Sequence, residues 1–349
     1  MCSGVMWVSG YRVGAGTPKY RRAAVSPTDA AARSTVTCRP SAGSELTRRD
    51  AGVTRAFVLP ALYCMEGRVG RESEVTMTGG IKNIILVASG KGGVGKSTVA
   101  VNLSLALAAR KAQVGLLDAD VYGPSIPTML GHAEPRQAED GKRLKAIAKH
   151  GIELMSIGYL VDPNTAMIWR GPMLASAVTQ FVTDVEWGEL DYLVMDLPPG
   201  TGDIQLTLAQ KFKVTGAVLV TTPQVVALSD VIRAKSMFDK VRIRTLGLVE
   251  NMSYFICPTC DSRHEIFSHG GGESAAADLD IPFLGRIPIE TAVREASDTG
   301  LPIVLKAPEA ASAKAFFAIA DTLQVAVQKI NADDAVRERR QGALKIVSN

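Results

Sequence analysis

Residues 84–98 read IILVASGKGGVGKST. The first six form a short continuous apolar run, the signature of a strand buried on both faces of a parallel sheet. The next nine, Gly90, Lys91, Gly92, Gly93, Val94, Gly95, Lys96, Ser97 and Thr98, satisfy G-x-x-x-x-G-K-[ST]. A helical stretch follows from Ser97, in which Val99, Leu103, Ala106 and Leu107 fall on one face. Strand, glycine loop and helix in that order are the context a phosphate-binding loop requires. Glycines let successive backbone N–H groups turn inward around phosphate, and the helix N-terminus favours an anion. On this reading Lys96 reaches the β- and γ-phosphates of a nucleotide and Ser97 ligates Mg²⁺.

The pattern continues outward from this loop. VGLLDAD (114–120), LDYLVMDLPPG (190–200), GAVLVTTP (216–223), LGLVENM (246–252) and PFLGRIP (282–288) are further strand candidates. Helical stretches lie between several of them, at 202–212, 228–240 and 272–280. After Pro308, the spacing of Phe316, Ala320, Leu323, Val327 and Ile330 predicts a closing amphipathic helix. Alternation of this kind predicts an α/β domain with a mostly parallel sheet flanked by helices. No internal repeat is present.

Two acidic clusters fall where ligands of such sheets gather, at the C-terminal ends of strands. Asp118 and Asp120 close the first. An acid here can orient an attacking water or accept its proton. Asp196 ends the second apolar strand, at the position that holds Mg²⁺ through a water. Pro198, Pro199 and Gly200 then form a turn able to sense a γ-phosphate. Aspartates after strands also serve simply as helix caps. Two such strands beside one phosphate loop favour the nucleotide reading.

Composition sets wider limits. The chain has 349 residues, 46% hydrophobic and 21% charged, which fits a sizeable core. A net charge of +4 makes no case for nucleic acid, and no apolar run is long enough to span a bilayer. Neither a nucleic-acid partner nor membrane insertion is therefore expected. Five sparse cysteines do not form a secreted disulfide framework, which favours a reducing compartment. Residues 1–76 are rich in arginine, poor in acids and without period. They read as a transit peptide, a disordered tail, or an over-extended start with Met65 or Met77 as the true first residue, and we prefer the last. Cys2, Cys38 and Cys64 lie here and receive no role. Residues 77–331 form the expected domain, and 332–349 a charged, solvated tail.

Cys257 and Cys260, in SYFICPTCDSRH (253–264), form the one close cysteine pair. C-x-x-C can ligate zinc, ligate an iron–sulfur cluster or exchange disulfides. A redox role expects the pair at a helix start near the beginning of a βαβ unit, and here it follows a strand late in the domain. A 4Fe–4S cluster takes four thiolates, and so does a tetrahedral zinc site. One chain offers two in close pairing. A symmetric dimer offers four. His264 and His269 lie nearby and are not preferred as ligands.

Together ASGKGGVGKST, LLDADVYGPSIPTML, WRGPM, DYLVMDLPPGTGD, VENMSYFICPTC and REASDTGLPI resemble the Mrp/ApbC family of iron–sulfur cluster carrier ATPases, over roughly residues 80–325. The likeness extends both to bacterial members and to the mitochondrial form serving respiratory complex I. Lys91, directly after the first glycine, marks the deviant Walker A class. The resemblance implies that Lys91 crosses a dimer interface to the partner's nucleotide and adds charge at the γ-phosphate. It also implies that Asp120 is the catalytic aspartate, that Asp118 lies near Mg²⁺, and that Asn251 reads adenine. Many bacterial members carry a small extra domain before the ATPase, and residues 1–76 do not resemble it.

The expected function follows. It is a slow, homodimeric ATPase that binds a 4Fe–4S cluster between subunits through Cys257 and Cys260 and delivers it to apo-proteins. The rivals are a non-catalytic cluster scaffold and a membrane- or DNA-positioning ATPase of the same class. The expected compartment is the cytoplasm for a bacterial chain, the preferred origin, and the mitochondrial matrix for a eukaryotic one.

Overall fold

The computed structural model describes residues 80–347, apart from 121–122, 134–135, 139–142, 161–170, 201–202 and 269. The readings of residues 1–76, of His269, and of parts of VYGPS, WRGPM and PPGTGD lie outside the described residues.

The sheet is built from β1 (Ile84–Ala88), β2 (Val114–Asp118), β3 (Ile147–Lys149), β4 (Ile152–Ser156), β5 (Tyr192–Asp196), β6 (Gly216–Thr221) and β7 (Thr245–Glu250). A hairpin of β8 (Phe255–Ile256) and β9 (Arg263–His264) follows, and β10 (Phe283–Arg286) returns to the sheet. The order across the eight strands is β10-β7-β6-β1-β5-β2-β4-β3. Every neighbouring pair is parallel except β3–β4 at one edge. A separate small sheet joins residues 136–137, 144–145 and 185–186.

The helices are α1 (Lys96–Ala109), α2 (Ile126–Leu130), α3 (Gly171–Thr183), α4 (Asp203–Lys211), α5 (Val225–Lys240), α6 (Gly271–Asp278), α7 (Thr291–Asp298), α8 (Ile303–Lys306) and α9 (Ala311–Val347). They cover both faces of the sheet. Alternation along β1 shows how two cores arise from one strand. Ile85 and Val87 point into the layer of α1 and α9, with Leu103, Phe316 and Leu323. Ile84, Leu86 and Ala88 point the other way, toward Val178, Leu208 and Phe238 of α3, α4 and α5. The predicted α/β architecture is the one observed, and each predicted strand lies at its expected place.

The structure extends two readings. Besides Val99, Leu103, Ala106 and Leu107, α1 also buries Ala100, Val101 and Leu105. It lies between the sheet and α9, so water reaches little of it. The closing helix also continues past Ile330, for α9 runs to Val347, so the charged stretch up to there is helical. Arg244 forms an ion pair with Asp334, and Lys213 one with Glu338 at 2.9 Å, linking the charged stretch to the body of the domain.

Candidate functional site

Every nucleotide-site candidate emerges from the same edge of the sheet, where β1, β2, β5 and β7 end. This edge carries a cleft of about 220 Å³, whose lining includes Gly92, Gly95, Lys96, Ser97, Asp120 and Pro199. Ser97 is partly open to it.

The loop needs its glycines for two different reasons. Gly93 and Gly95 adopt left-handed backbone, with φ of 81° and 80°. A side chain at Gly95 would also lie 2.2 Å from Nδ2 of Asn251. At Gly90 the limit is space alone, since a Cβ there would meet Asp230 of α5 at 2.4 Å. Asn251 follows β7, and its amide donates to the Val94 carbonyl at 2.8 Å. It thus braces the loop from beneath, a role that reading the sequence did not assign. The second amide hydrogen and Oδ1 remain for a base. Lys91 is half-buried and lies outside the cleft lining, while its carbonyl accepts from Ser89 Oγ at 2.8 Å.

Lys96 gathers the acids. Its Nζ lies 2.6 Å from Asp196 Oδ1 and 3.6 Å from Asp120 Oδ2, with all three side chains largely buried. Asp196 Oδ2 and Asp120 Oδ1 are buried with no hydrogen-bond partner. Buried carboxylate oxygens of this kind are an electrostatic demand for a cation or an ordered water. Among the described residues no group of three or more His, Cys, Asp or Glu is arranged to hold a metal ion. The two unpartnered carboxylate oxygens and the Ser97 hydroxyl would fit a Mg²⁺ that arrives with nucleotide.

Asp118 stands apart from this cleft. Its Oδ1 accepts from the Asp120 backbone N–H at 3.1 Å, and its Oδ2 from Ser156 Oγ at 2.9 Å and Ile126 N–H at 3.4 Å. Burial first, then the charge of Asp196, pushes its carboxyl up to about 7. Burial likewise raises Asp196 against the pull of Lys96. Asp118 thus organises the site from behind, through the Asp120 backbone and Ser156.

Residues beyond Asn251 form the cysteine hairpin. Glu250, fully buried, accepts from Ser253 Oγ at 2.6 Å and from Gly272 N–H at the start of α6 at 2.5 Å. This tethers the strand end from which Asn251 and the hairpin both leave. The hairpin root pairs with residues after β10, through Ser253 N–H to Ile287 O and Ile289 N–H to Tyr254 O. The Arg263 guanidinium stacks over Tyr254 at 3.9 Å. At the tip, Cys257 N–H donates to Ser262 O and Asp261 N–H to Cys257 O, each at 2.9 Å. Asp261 turns the chain in left-handed backbone, φ 56°. Cys257 is half-buried, Cys260 is exposed, and both are free thiols. Hydrogen bonding with Ser262 and then Cys257 holds the Cys260 thiol below its ordinary range. His264 sits lower on β9, opposite Phe255.

A phosphate loop after β1, braced by Asn251 from the same strand end that carries a two-cysteine hairpin, is a specific combination. A family profile described as ParA: NUBPL iron-transfer P-loop NTPase matches residues 80–324. The chain belongs to this family.

This is the family that the motifs led us to expect. The iron–sulfur cluster carrier protein of Synechocystis sp. is 53% identical over 247 residues, covering 69% of this chain and 70% of that protein. A mitochondrial iron–sulfur protein required for NADH dehydrogenase, from Arabidopsis thaliana, is 45% identical over 271 residues, covering 77% and 86%. Among solved structures, a nucleotide-binding protein of Archaeoglobus fulgidus in complex with ADP superposes with TM-score 0.58 and 38% identity, covering 68% of this chain and 92% of that one. The septum site-determining protein MinD of Pyrococcus horikoshii, at TM-score 0.52 and 24% identity over 68% and 94%, shares the fold alone.

Proposed function

We propose that this NTPase is an iron–sulfur carrier that binds a 4Fe–4S cluster between two copies of the chain, hydrolyses ATP slowly, and delivers the cluster to apo-proteins. The observation that carries this reading is the incomplete ligand set. Cys257 and Cys260 present two free thiols at the tip of a hairpin, and a 4Fe–4S cluster takes four. A second copy supplies Cys257 and Cys260 again, with the cluster on the symmetry axis. Exposure of Cys260 suits a cargo that must leave.

The nucleotide half follows from the cleft. Lys96 and the loop N–H groups hold the phosphates, Ser97 with Asp196 holds Mg²⁺, and Asn251 reads the adenine. Asp120 orients the attacking water and takes its proton, so that ATP and water yield ADP and phosphate. Lys91, outside its own cleft, serves the partner's γ-phosphate. Val225 and Val226, 77% and 69% exposed at the start of α5, support a second copy on this side. They sit one turn from Asp230, which abuts Gly90 beside Lys91. Similarity to bacterial carriers and to a plant mitochondrial protein supports the cytoplasm or the mitochondrial matrix as the compartment.

Anaerobic reconstitution followed by absorption spectroscopy and size analysis tests the central claim. The expected result is one cluster per dimer, lost in Cys257→Ala and in Cys260→Ala. A cluster-free dimer, or a tetrahedral zinc site that excludes iron, refutes it.

A further inference from the structure

Asp120 is not held by its own neighbours alone. The strand before it ends at Asp118, whose carboxylate takes the Asp120 N–H on one oxygen and the Ser156 hydroxyl on the other. Ser156 ends β4, which pairs with β2 in register, Asp118 opposite Ser156. It is fully buried, and its Oγ also accepts from Gly158 N–H at 3.0 Å. That acceptance orients the hydroxyl, leaving its proton for Asp118. Gly158 itself packs on the chain that follows Asp120. A Cβ at Gly158 would lie 2.9 Å from Pro124 and 3.0 Å from Pro127. The Ser156–Gly158 turn therefore grips the Asp120-bearing chain at two points, by a hydrogen bond before Asp120 and by close packing after it.

We propose that Ser156 and Gly158 are positioning residues for hydrolysis, fixing Asp120 over the cleft through Asp118 and through Pro124 and Pro127. The inference rests on the hydrolysis reading above. Neither residue lines the cleft, so neither contributes to nucleotide binding directly. Their contacts reach the cleft through the chain that carries Asp120, the acid that acts on water, so the effect expected is on kcat. Geometry errors on this scale cost rate while leaving ground-state affinity in place.

The test is steady-state ATP hydrolysis by the full chain, with equilibrium ATP affinity and thermal midpoint measured on the same preparations. Ser156→Ala should lower kcat roughly tenfold, with affinity changed by less than about twofold. Ser156→Thr, which keeps the hydroxyl, should restore most of the rate. Gly158→Ala should lower kcat from the other side by pushing Pro124 away, and it keeps the question open to measurement should Ser156→Ala fold poorly. Loss of hydrolysis in Asp120→Ala together with an unchanged kcat in Ser156→Ala and Gly158→Ala overturns this inference alone. So does a fall in kcat and affinity together, in step with the thermal midpoint, which is a structural effect. Full hydrolysis by Asp120→Ala overturns the hydrolysis reading itself.

Discussion

Asn251 and Val94 are 157 residues apart in sequence and joined by one buried hydrogen bond of 2.8 Å. The amide that ends β7 supports the carbonyl at the crest of the phosphate loop. Six residues beyond Asn251 the chain reaches Cys257, so the strand end that braces the nucleotide loop also carries the thiol hairpin. Removing the amide leaves a buried carbonyl without its partner. Asn251→Ala should destabilise the protein by about 1–3 kcal/mol and weaken ATP binding. Thermal denaturation and calorimetric titration read the two effects, and unchanged values for both would show the brace to be idle.

Gly95 lies against the same amide. An alanine there combines left-handed backbone with a Cβ 2.2 Å from Asn251 Nδ2. Gly95→Ala should abolish measurable nucleotide binding, because loop and asparagine cannot both stay in place. The double variant Gly95→Ala with Asn251→Ala should fold better than Gly95→Ala, by relieving the overlap, and still bind weakly. Circular dichroism melting with nucleotide titration compares the pair.

The ion pair of Lys96 with Asp196 is buried on both sides. Breaking it from one end strands a charge, at a cost of roughly 3–5 kcal/mol. Lys96→Met should show this loss in urea unfolding without nucleotide. Lys96→Met with Asp196→Leu should regain most of it and still fail to bind ATP. Stability regained without binding separates the pair's structural share from its part in catalysis.

Asp118 gives the nucleotide-free protein a pH dependence of defined sign. Its folded carboxyl titrates near 7, while the unfolded one titrates at about 4. Between those values the folded state holds the additional proton, so its stability declines as pH rises through the window. Urea midpoints at about pH 5 and pH 8 should differ accordingly, and Asp118→Asn should reduce the difference. An equal slope in wild type and variant would assign the titration elsewhere.

At the hairpin, the exposed Cys260 thiol has its range lowered by Ser262 and Cys257, while Cys257 is half-buried. Cluster-free protein pulsed with iodoacetamide near neutral pH should alkylate Cys260 before Cys257, as read by peptide mass mapping. Ser262→Ala should slow Cys260. Equal rates at both positions would remove the asymmetry on which ordered release of a cargo could rest.

What the sequence alone determined is what short-range chemistry encodes. The run IILVAS, the glycines of 90–95 and the acids ending apolar strands declare a parallel α/β sheet with phosphate chemistry at one edge, because a buried strand, a left-handed turn and a helix start each need particular neighbours. The C-x-x-C spacing is legible for the same reason. The tertiary structure decided which groups serve those elements from a distance. Strand β4 is a brief run, IELMS, and nothing local in it names a partner strand, so neither its place beside β2 nor the reach of Ser156 to Asp118 could be read beforehand. The same holds for Asn251 beneath Val94, for α1 enclosed by α9, and for the ion pairs that link α9 to Lys213 and Arg244. Each depends on contacts between segments far apart in the chain, whose partners are named only once the sheet order has brought them together.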